Sequence, residues 1–271
     1  MSLITKKQIC SAGKTFLFGG IIGSSMLIPG VSGGTMAIIL GIYDRLVNSV
    51  GNIFKETKRA LIFLGITAAG GMLGLIFFSS VMLDIVKKYP VFSMYFFIGA
   101  ILGSIPMLVK KSGISEGKWY NVFFALLGIV GLFLLRQLPE GNNIQSSPFM
   151  LFICGIIIAA AMVLPGISTS HILLILGMYE IVWGGLKNAA PDFWIFLGSG
   201  AAIGTFLTAK LADKAMKKYP CQTYMIIIGF VMTSVYDIFP SDFIAEQIPF
   251  YLILAGSGFL GVSMLSKHGM N

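Results

Sequence analysis

The chain has 271 residues, of which 56% are hydrophobic and only 11% are charged, and its net charge is +8. A typical soluble domain carries about 25% charged residues. The composition therefore excludes a soluble enzyme, a disordered protein and a nucleic-acid-binding module. The basic residues form short clusters between long apolar segments, as in the cytoplasmic loops of membrane proteins. We therefore expect an all-α integral membrane protein surrounded by membrane lipids.

A proline–glycine turn interrupts the first apolar segment. Residues 15–43 carry no charge, but Pro29 and Gly30, followed by small polar residues, stop a helix. The arm from Phe16 to Ile28 would be about 20 Å long as a helix, which is short of the ~30 Å hydrocarbon core. The sequence therefore predicts a re-entrant hairpin over about residues 15–50, which enters and leaves the membrane on one side.

Three apolar segments that can each cross a bilayer follow this hairpin, and the same order of segments then recurs. The second hairpin covers about residues 147–187 and is interrupted at Pro165 and Gly166. The six predicted transmembrane helices cover about residues 60–83, 91–109, 119–136, 193–210, 219–237 and 247–266.

The two halves of the chain resemble each other. At an offset of 136 residues, the segment 29–32 (PGVS) matches 165–168 (PGIS), and 39–44 (ILGIYD) matches 175–180 (ILGMYE). At an offset of 130 residues, the segment 87–90 matches 217–220, since both read KKYP. We infer a duplication with a first repeat at 1–140 and a second at 141–271. Internal duplication is typical of membrane transporters.

The distribution of lysine and arginine predicts the topology. If both hairpins re-enter and the N-terminus is cytoplasmic, 15 of the 19 basic residues lie inside; if both hairpins cross, only 11 do. The positive-inside rule favours the first arrangement. We therefore expect two repeats of inverted topology, each a re-entrant helical hairpin plus three transmembrane helices, with both termini in the cytoplasm.

The two interrupted loops are the candidate binding site. Irregular backbone at membrane depth is tolerated only where it lines a protein or water cavity, and in inverted-repeat carriers such elements bind the substrate. Hydroxyl groups and the N–H groups at helix starts suit an anion, above all a phosphate. The predicted substrate-binding residues are Pro29, Gly30, Ser32, Gly33, Gly34, Thr35, Arg45, Pro165, Gly166, Ser168, Thr169, Ser170 and His171.

Few ionisable groups adjoin these loops. Arg45 could supply a positive charge near the cytoplasmic mouth, and His171 is the only ionisable residue in the second loop. His171, Asp44 and Glu180 are the candidates for proton coupling. The loops contain no acidic cluster, and the three cysteines lie far apart, so we expect no metal site, no disulfide framework and no cofactor.

The segment from Pro29 to Thr35, followed by Gly41 to Arg45, resembles the PopT family of bacterial polyprenyl-phosphate transporters. The similarity extends over nearly the whole chain and includes the second loop at Pro165 to Ser168. The resemblance implies a non-enzymatic flippase of the bacterial cytoplasmic membrane. Such a protein would return undecaprenyl phosphate across the membrane for cell-wall synthesis, and no nucleic acid would be involved.

Two alternatives stay open at this level. An undecaprenyl-pyrophosphate phosphatase of the BacA type also has inverted repeats and Pro-Gly-x-Ser loops, but its chemistry needs a loop arginine and membrane-embedded glutamates. Neither loop here contains arginine, and no paired glutamates lie near the loops. A small-anion carrier is the second alternative. The oligomeric state is also open, with a homodimer among the options.

Overall fold

The structure is a computed structural model that describes residues 6–26, 32–114, 119–141, 147–188, 191–240 and 245–269. These residues form α-helices joined by short turns, and no strand occurs among them. The helices are α1 (Lys6–Ser25), α2 (Gly33–Ile39), α3 (Tyr43–Gly51), α4 (Thr57–Lys88), α5 (Pro90–Ser112), α6 (Val122–Arg136), α7 (Pro148–Val163), α8 (Thr169–Ile175), α9 (Tyr179–Asn188), α10 (Pro191–Lys218), α11 (Pro220–Asp237) and α12 (Ile248–Gly269).

Three of the described helical segments are long and apolar enough to cross a membrane: Thr57–Phe78, Pro90–Ser112 and Pro191–Lys218. Val122–Arg136, Pro148–Val163 and Ile248–Met264 are shorter apolar helices. The chain is therefore a helical membrane protein, as the composition predicts. The full set of six crossings stays a prediction.

The first arm is longer than the sequence predicts. The expected arm begins at Phe16, whereas α1 begins at Lys6 and has 20 residues, which corresponds to a length of about 30 Å. Lysine is a good helix former, so a charged segment can continue a helix. The charged residues therefore extend α1 instead of ending it. The argument from a short arm does not hold for α1, and its re-entrant course stays a prediction.

Close helix packing repeats at the sequence offsets. Gly70 of α4 lies against the carbonyl of Phe16 in α1, and the equivalent Gly200 of α10 lies against the carbonyl of Phe152 in α7. A side chain at either glycine would collide with the facing backbone. Small residues at such positions let helices approach closely in membranes. The same pairs of helices thus pack together in both repeats.

The remaining long helices exchange partners between the repeats. Gly99 of α5 lies against the carbonyl of Ala255 in α12, while the equivalent Gly229 of α11 lies against the carbonyl of Ala125 in α6. Each repeat therefore packs its second long helix on the third long helix of the other repeat. This exchange makes the two halves one body instead of two separate domains.

Helix α2 lies at the centre of the main core. Residues 34–39 are all buried, and Thr35 has no exposed surface. The same core contains apolar residues of α5 and α11, including Ile101 and Val231, which are also fully buried. A short helix is only marginally stable alone, so the position of α2 depends on this packing.

Candidate functional site

Two short helices with serine caps begin at the two loops. The Ser32 hydroxyl accepts a hydrogen bond from the Thr35 N–H at 3.1 Å, and the Ser168 hydroxyl accepts one from the His171 N–H at 3.4 Å. Both serines are N-caps at the same position in their repeats. Because α2 and α8 have only seven residues each, they offer individual N–H and hydroxyl donors instead of a large helix dipole.

The first repeat contacts the second at these loops. The Gly166 N–H donates a hydrogen bond to the Ser32 hydroxyl at 3.4 Å. A Cβ atom at Gly34 would lie 3.2 Å from the Cα atom of Pro165. The start of α2 and the second loop are therefore in direct contact. We call Ser32, Gly34, Thr35, Pro165 and Gly166 the loop junction.

A buried tyrosine at the start of α3 holds the loop junction in place. The predicted topology puts this end of the first hairpin near the cytoplasm. Tyr43 is only 4% exposed, and its hydroxyl donates a hydrogen bond to the carbonyl of Val163 at 3.2 Å. Val163 is the last residue of α7, just before the second loop. Tyr43 therefore holds the start of α3 against the arm that leads into Pro165.

The second loop also packs on α11. Gly166 has φ +79° and lies against the carbonyl of Phe230, and a Cβ atom there would be 3.1 Å from the Ser234 hydroxyl. Ser234 and its equivalent Ser104 in α5 are both buried. These two serines were not among the predicted site residues, although their shared offset of 130 residues is visible in the sequence.

An apolar groove opens from the loop junction. It has a volume of about 540 Å³ and is bounded by α1, α2, α3, α4 and α7. Gly33, Gly34 and Tyr43 line one part of the groove, and Leu64, Ala68 and Met72 of α4 line another. Its lining is almost wholly apolar. The groove therefore suits a hydrocarbon chain whose polar end reaches the junction.

The predicted site residues lie in different environments. Pro29 and Gly30 lie outside the described residues. Gly33 lines the groove, whereas Ser168 and Ser170 are exposed and Thr169 is half-buried. Among the described residues, the two loops contact each other directly at the loop junction.

Arg45 does not line the groove. Its side chain is exposed, and the guanidinium carbon lies 4.0 Å from the ring centroid of Phe63 in α4. This is a cation–π contact, which holds the guanidinium group of α3 against the surface of α4. The role of Arg45 in binding stays a prediction.

Asp44 joins three helices. Its carboxylate accepts hydrogen bonds from the Lys111 ammonium at 2.5 Å and from the Tyr224 hydroxyl at 3.0 Å. Lys111 is in the last turn of α5, and Tyr224 is near the start of α11. Asp44 thus connects α3 to both repeats, whereas its equivalent Glu180 is exposed at the start of α9.

A second carboxylate connects α3 to α10. Asp213 accepts hydrogen bonds at 2.9 Å from the side-chain amides of both Asn48 and Asn52, and it forms an ion pair with Lys217 at 2.7 Å. Asp213 is only 8% exposed. The apolar pattern does not reveal this network, because the predicted span ends near residue 210 whereas α10 continues to Lys218.

The long apolar helices define the class of the protein: it is an integral membrane protein. The chain belongs to the VCA0040-like family, described as undecaprenyl phosphate translocase-like, whose model matches residues 22–249. The resemblance inferred from the loops is therefore confirmed, and so is the assignment to a family of transporters instead of enzymes.

Two curated relatives agree with this assignment. A polyprenyl-phosphate transporter of Vibrio cholerae serotype O1 is 29% identical over 243 residues, which cover 83% of this chain and 77% of the relative. A polyprenyl-phosphate transporter of Staphylococcus aureus is 30% identical over 249 residues, which cover 83% of this chain and 85% of the relative. No solved structure matches the chain.

Proposed function

We propose that the protein transports polyprenyl phosphate, specifically undecaprenyl phosphate, across the bacterial cytoplasmic membrane. The carrier would return the phosphate head to the cytoplasmic face, where the lipid is reloaded for cell-wall synthesis. The family and the names of both relatives support this substrate. The observation that carries the proposal is the apolar groove that reaches the loop junction at Gly34, because an apolar groove beside a polar contact matches a lipid with one charged end.

The phosphate head would bind at the loop junction. The first N–H groups of α2 belong to Gly33 and Gly34, and the first N–H groups of any helix lack intrahelical partners. The hydroxyls of Ser32 and Thr35 lie 2.8 Å apart beside them. The Gly33 and Gly34 N–H groups and the Ser32 hydroxyl would be the donors to one anion at the boundary between the repeats, while the fully buried Thr35 holds the Ser32 hydroxyl in place.

Such donors reduce the main cost of transport. A charge at the centre of a bilayer costs at least several kcal/mol, because the hydrocarbon cannot replace its hydration. Hydrogen bonds to an anionic oxygen are about twice as strong as those between neutral groups. The junction would therefore substitute for water around the phosphate while the isoprenoid tail remains in an apolar environment.

The tail would lie in the groove beside the closely packed pair of α1 and α4, where α3 and α7 form the other walls. Glycines at 19, 23 and 71 line the groove together with apolar side chains. A lipid tail in this position would occupy space that leads directly to Gly33 and Gly34. The remainder of a long tail would extend into the bilayer.

Inverted repeats would let this site face each side of the membrane in turn. The Asp44 contacts bring the end of α5 close to the start of α11. Since α5 and α11 are equivalent in the duplication, this contact supports opposite directions for the two repeats. We propose six crossings, two re-entrant hairpins and cytoplasmic termini, with alternating access about the loop junction. His171, Asp44 and Glu180 remain the candidates for proton coupling.

Reconstitution in liposomes tests the proposal. The purified protein should move polyprenyl phosphate between leaflets and should not accelerate the movement of the uncharged polyprenol. Ala68→Trp should block most of this transport, because Ala68 lines the groove. Ala69→Trp is the matched control, since Ala69 is its exposed neighbour on α4 and does not line the groove.

Three results would contradict the proposal. Equal transport by both tryptophan variants would remove the groove from the mechanism. Absence of lipid movement with the wild-type protein would refute the transport function. Release of inorganic phosphate from undecaprenyl pyrophosphate would instead indicate a phosphatase.

A further inference from the structure

Three ionisable side chains cluster beside the second loop, away from the loop junction. Arg136 at the end of α6 forms an ion pair with Asp237 at the end of α11. His171 lies in α8, one turn before Leu174, whose carbonyl receives a hydrogen bond from the segment that follows α6. We call these three residues the outer cluster, because the predicted topology puts Arg136 and Asp237 on the extracytoplasmic side.

Backbone contacts hold the outer cluster against the second loop. The Gly141 N–H, five residues after Arg136, donates a hydrogen bond to the carbonyl of Leu174 in α8 at 3.0 Å. Gly166 packs on α11 at Phe230, two turns before Asp237. The cluster therefore adjoins the same loop that contacts Ser32 at the loop junction.

Two nitrogen atoms of the cluster are buried and lack partners. Among the residues that the structure describes, neither Nη1 of Arg136 nor Nε2 of His171 has a hydrogen-bond partner. A buried polar atom without a partner costs about 1–3 kcal/mol, and such atoms are uncommon in folded proteins. Both atoms can donate to an anion, since guanidinium is permanently charged and imidazole donates from a protonated Nε2.

The duplication shows that the cluster is specific to one half. At the offsets of the repeat, the positions equivalent to His171, Arg136 and Asp237 are Thr35, Ser266 and Met107. None of these equivalents is ionisable. The packing of the repeats therefore does not require a charged cluster here, and a function at one membrane face accounts for the asymmetry.

We propose that Arg136 and His171 form a second anion subsite, which binds the phosphomonoester head of the lipid on the extracytoplasmic side of the second loop. This inference rests on the proposed function. Asp237 is the exchangeable counter-ion of this subsite: it pairs with Arg136 when no phosphate is bound and releases it when a phosphate arrives. The head then passes from the subsite to the loop junction.

The local geometry fits such an exchange. The Arg136 and Asp237 side chains are 18% and 26% exposed, so the ion pair is only partly shielded from water. Asp237 also lines a cavity of about 610 Å³ beside Tyr236 and Pro240, which offers space for the displaced carboxylate. A guanidinium group can bind two phosphate oxygens at once, and a phosphomonoester carries more charge than a carboxylate.

The test compares binding of polyprenyl phosphate with binding of polyprenol to purified protein in nanodiscs. Replacing both partners of the ion pair (Arg136→Met with Asp237→Leu) should leave a folded protein, because two apolar groups can substitute for an ion pair. Its preference for the phosphorylated lipid should fall by about tenfold or more. Asp237→Asn should strengthen binding of the phosphorylated lipid, since the competing charge is gone.

Two further variants complete the comparison. Arg136→Lys should lose part of the preference, because lysine keeps the charge but not the two-pronged geometry. Arg59→Ala is the matched control: Arg59 is exposed at the start of α4, and its loss should leave the preference unchanged.

A folded double variant that still discriminates like the wild type would overturn the subsite. A loss of preference in Asp237→Asn as large as that in Arg136→Lys would also overturn it, because the carboxylate would then be required and not exchangeable. If the double variant fails to fold, these two single variants decide the matter. Equal binding of both lipids by the wild-type protein would refute the proposed function, and the subsite would fall with it.

Discussion

Gly166→Ala should disrupt the contact between the two repeats. Gly166 has φ +79°, which an L-residue adopts at a cost of about 1–2 kcal/mol. A Cβ atom there would collide with the carbonyl of Phe230 and lie 3.1 Å from the Ser234 hydroxyl, and overpacking of this kind costs about 1–3 kcal/mol. The two effects together predict a loss of about 2–5 kcal/mol.

The loop can relieve this strain only by moving away from α11. Since the Gly166 N–H donates to the Ser32 hydroxyl at 3.4 Å, such a movement would also disturb the loop junction. We therefore expect a lower unfolding temperature in detergent and slower lipid transport in liposomes. Both effects should appear in the same variant, because one residue serves the packing and the junction.

Two further variants separate the causes. Gly198→Ala is the matched control, since a Cβ atom at Gly198 would meet nothing within 4 Å, and alanine favours a helix over glycine by about 1 kcal/mol. Gly166→Asn tolerates the left-handed backbone better than alanine but still collides with Phe230, so it should not restore function. Wild-type stability and transport in Gly166→Ala would refute this reasoning.

The remaining predictions concern α3 and the topology. Asp213→Ala should lower the free energy of unfolding by about 1–3 kcal/mol, because the side-chain amides of Asn48 and Asn52 lose their buried acceptor. Lys217→Ala should have a small effect, because the Lys217 side chain is 62% exposed. Thermal unfolding that ranks the two variants in reverse would contradict this. Arg45→Ala should slow transport severalfold without changing the unfolding temperature, as expected if its charge attracts the phosphate. Unchanged transport would exclude a role for Arg45 in attracting the substrate. In a variant that lacks Cys10, Cys154 and Cys221, single cysteines can be introduced at chosen positions. In intact cells, a membrane-impermeant thiol reagent should label cysteines at positions 87 and 187 but not at 55 and 110.

Local patterns in the sequence predict the elements of this protein well. Apolar segments bounded by charge correspond to α4, α5 and α10, because the length and composition of a segment determine whether it can cross a bilayer. The serine caps at Ser32 and Ser168 follow from short-range hydrogen bonding between a residue and the third residue after it. The duplication is likewise visible in the sequence, and the helix packing repeats at the same offsets.

The start of α1 shows where such patterns are insufficient. The first arm is expected to begin at Phe16, near the start of the uncharged segment, but α1 begins at Lys6 because lysine is compatible with helical backbone. Composition therefore indicates where the membrane-buried part of a helix ends, and not where the helix itself ends.

Only the tertiary structure decides which distant side chains meet. Arg45 follows the first loop in the sequence, yet the helical phase of α3 turns it onto Phe63. Arg136 and Asp237 are 101 residues apart in the chain, yet the packing of α6 on α11 pairs them. The contact of Ser32 with Gly166 and the adjoining groove also join residues that are far apart in the chain. The physical reason is that such contacts depend on the directions in which packed helices point their side chains, which no local pattern of residues specifies.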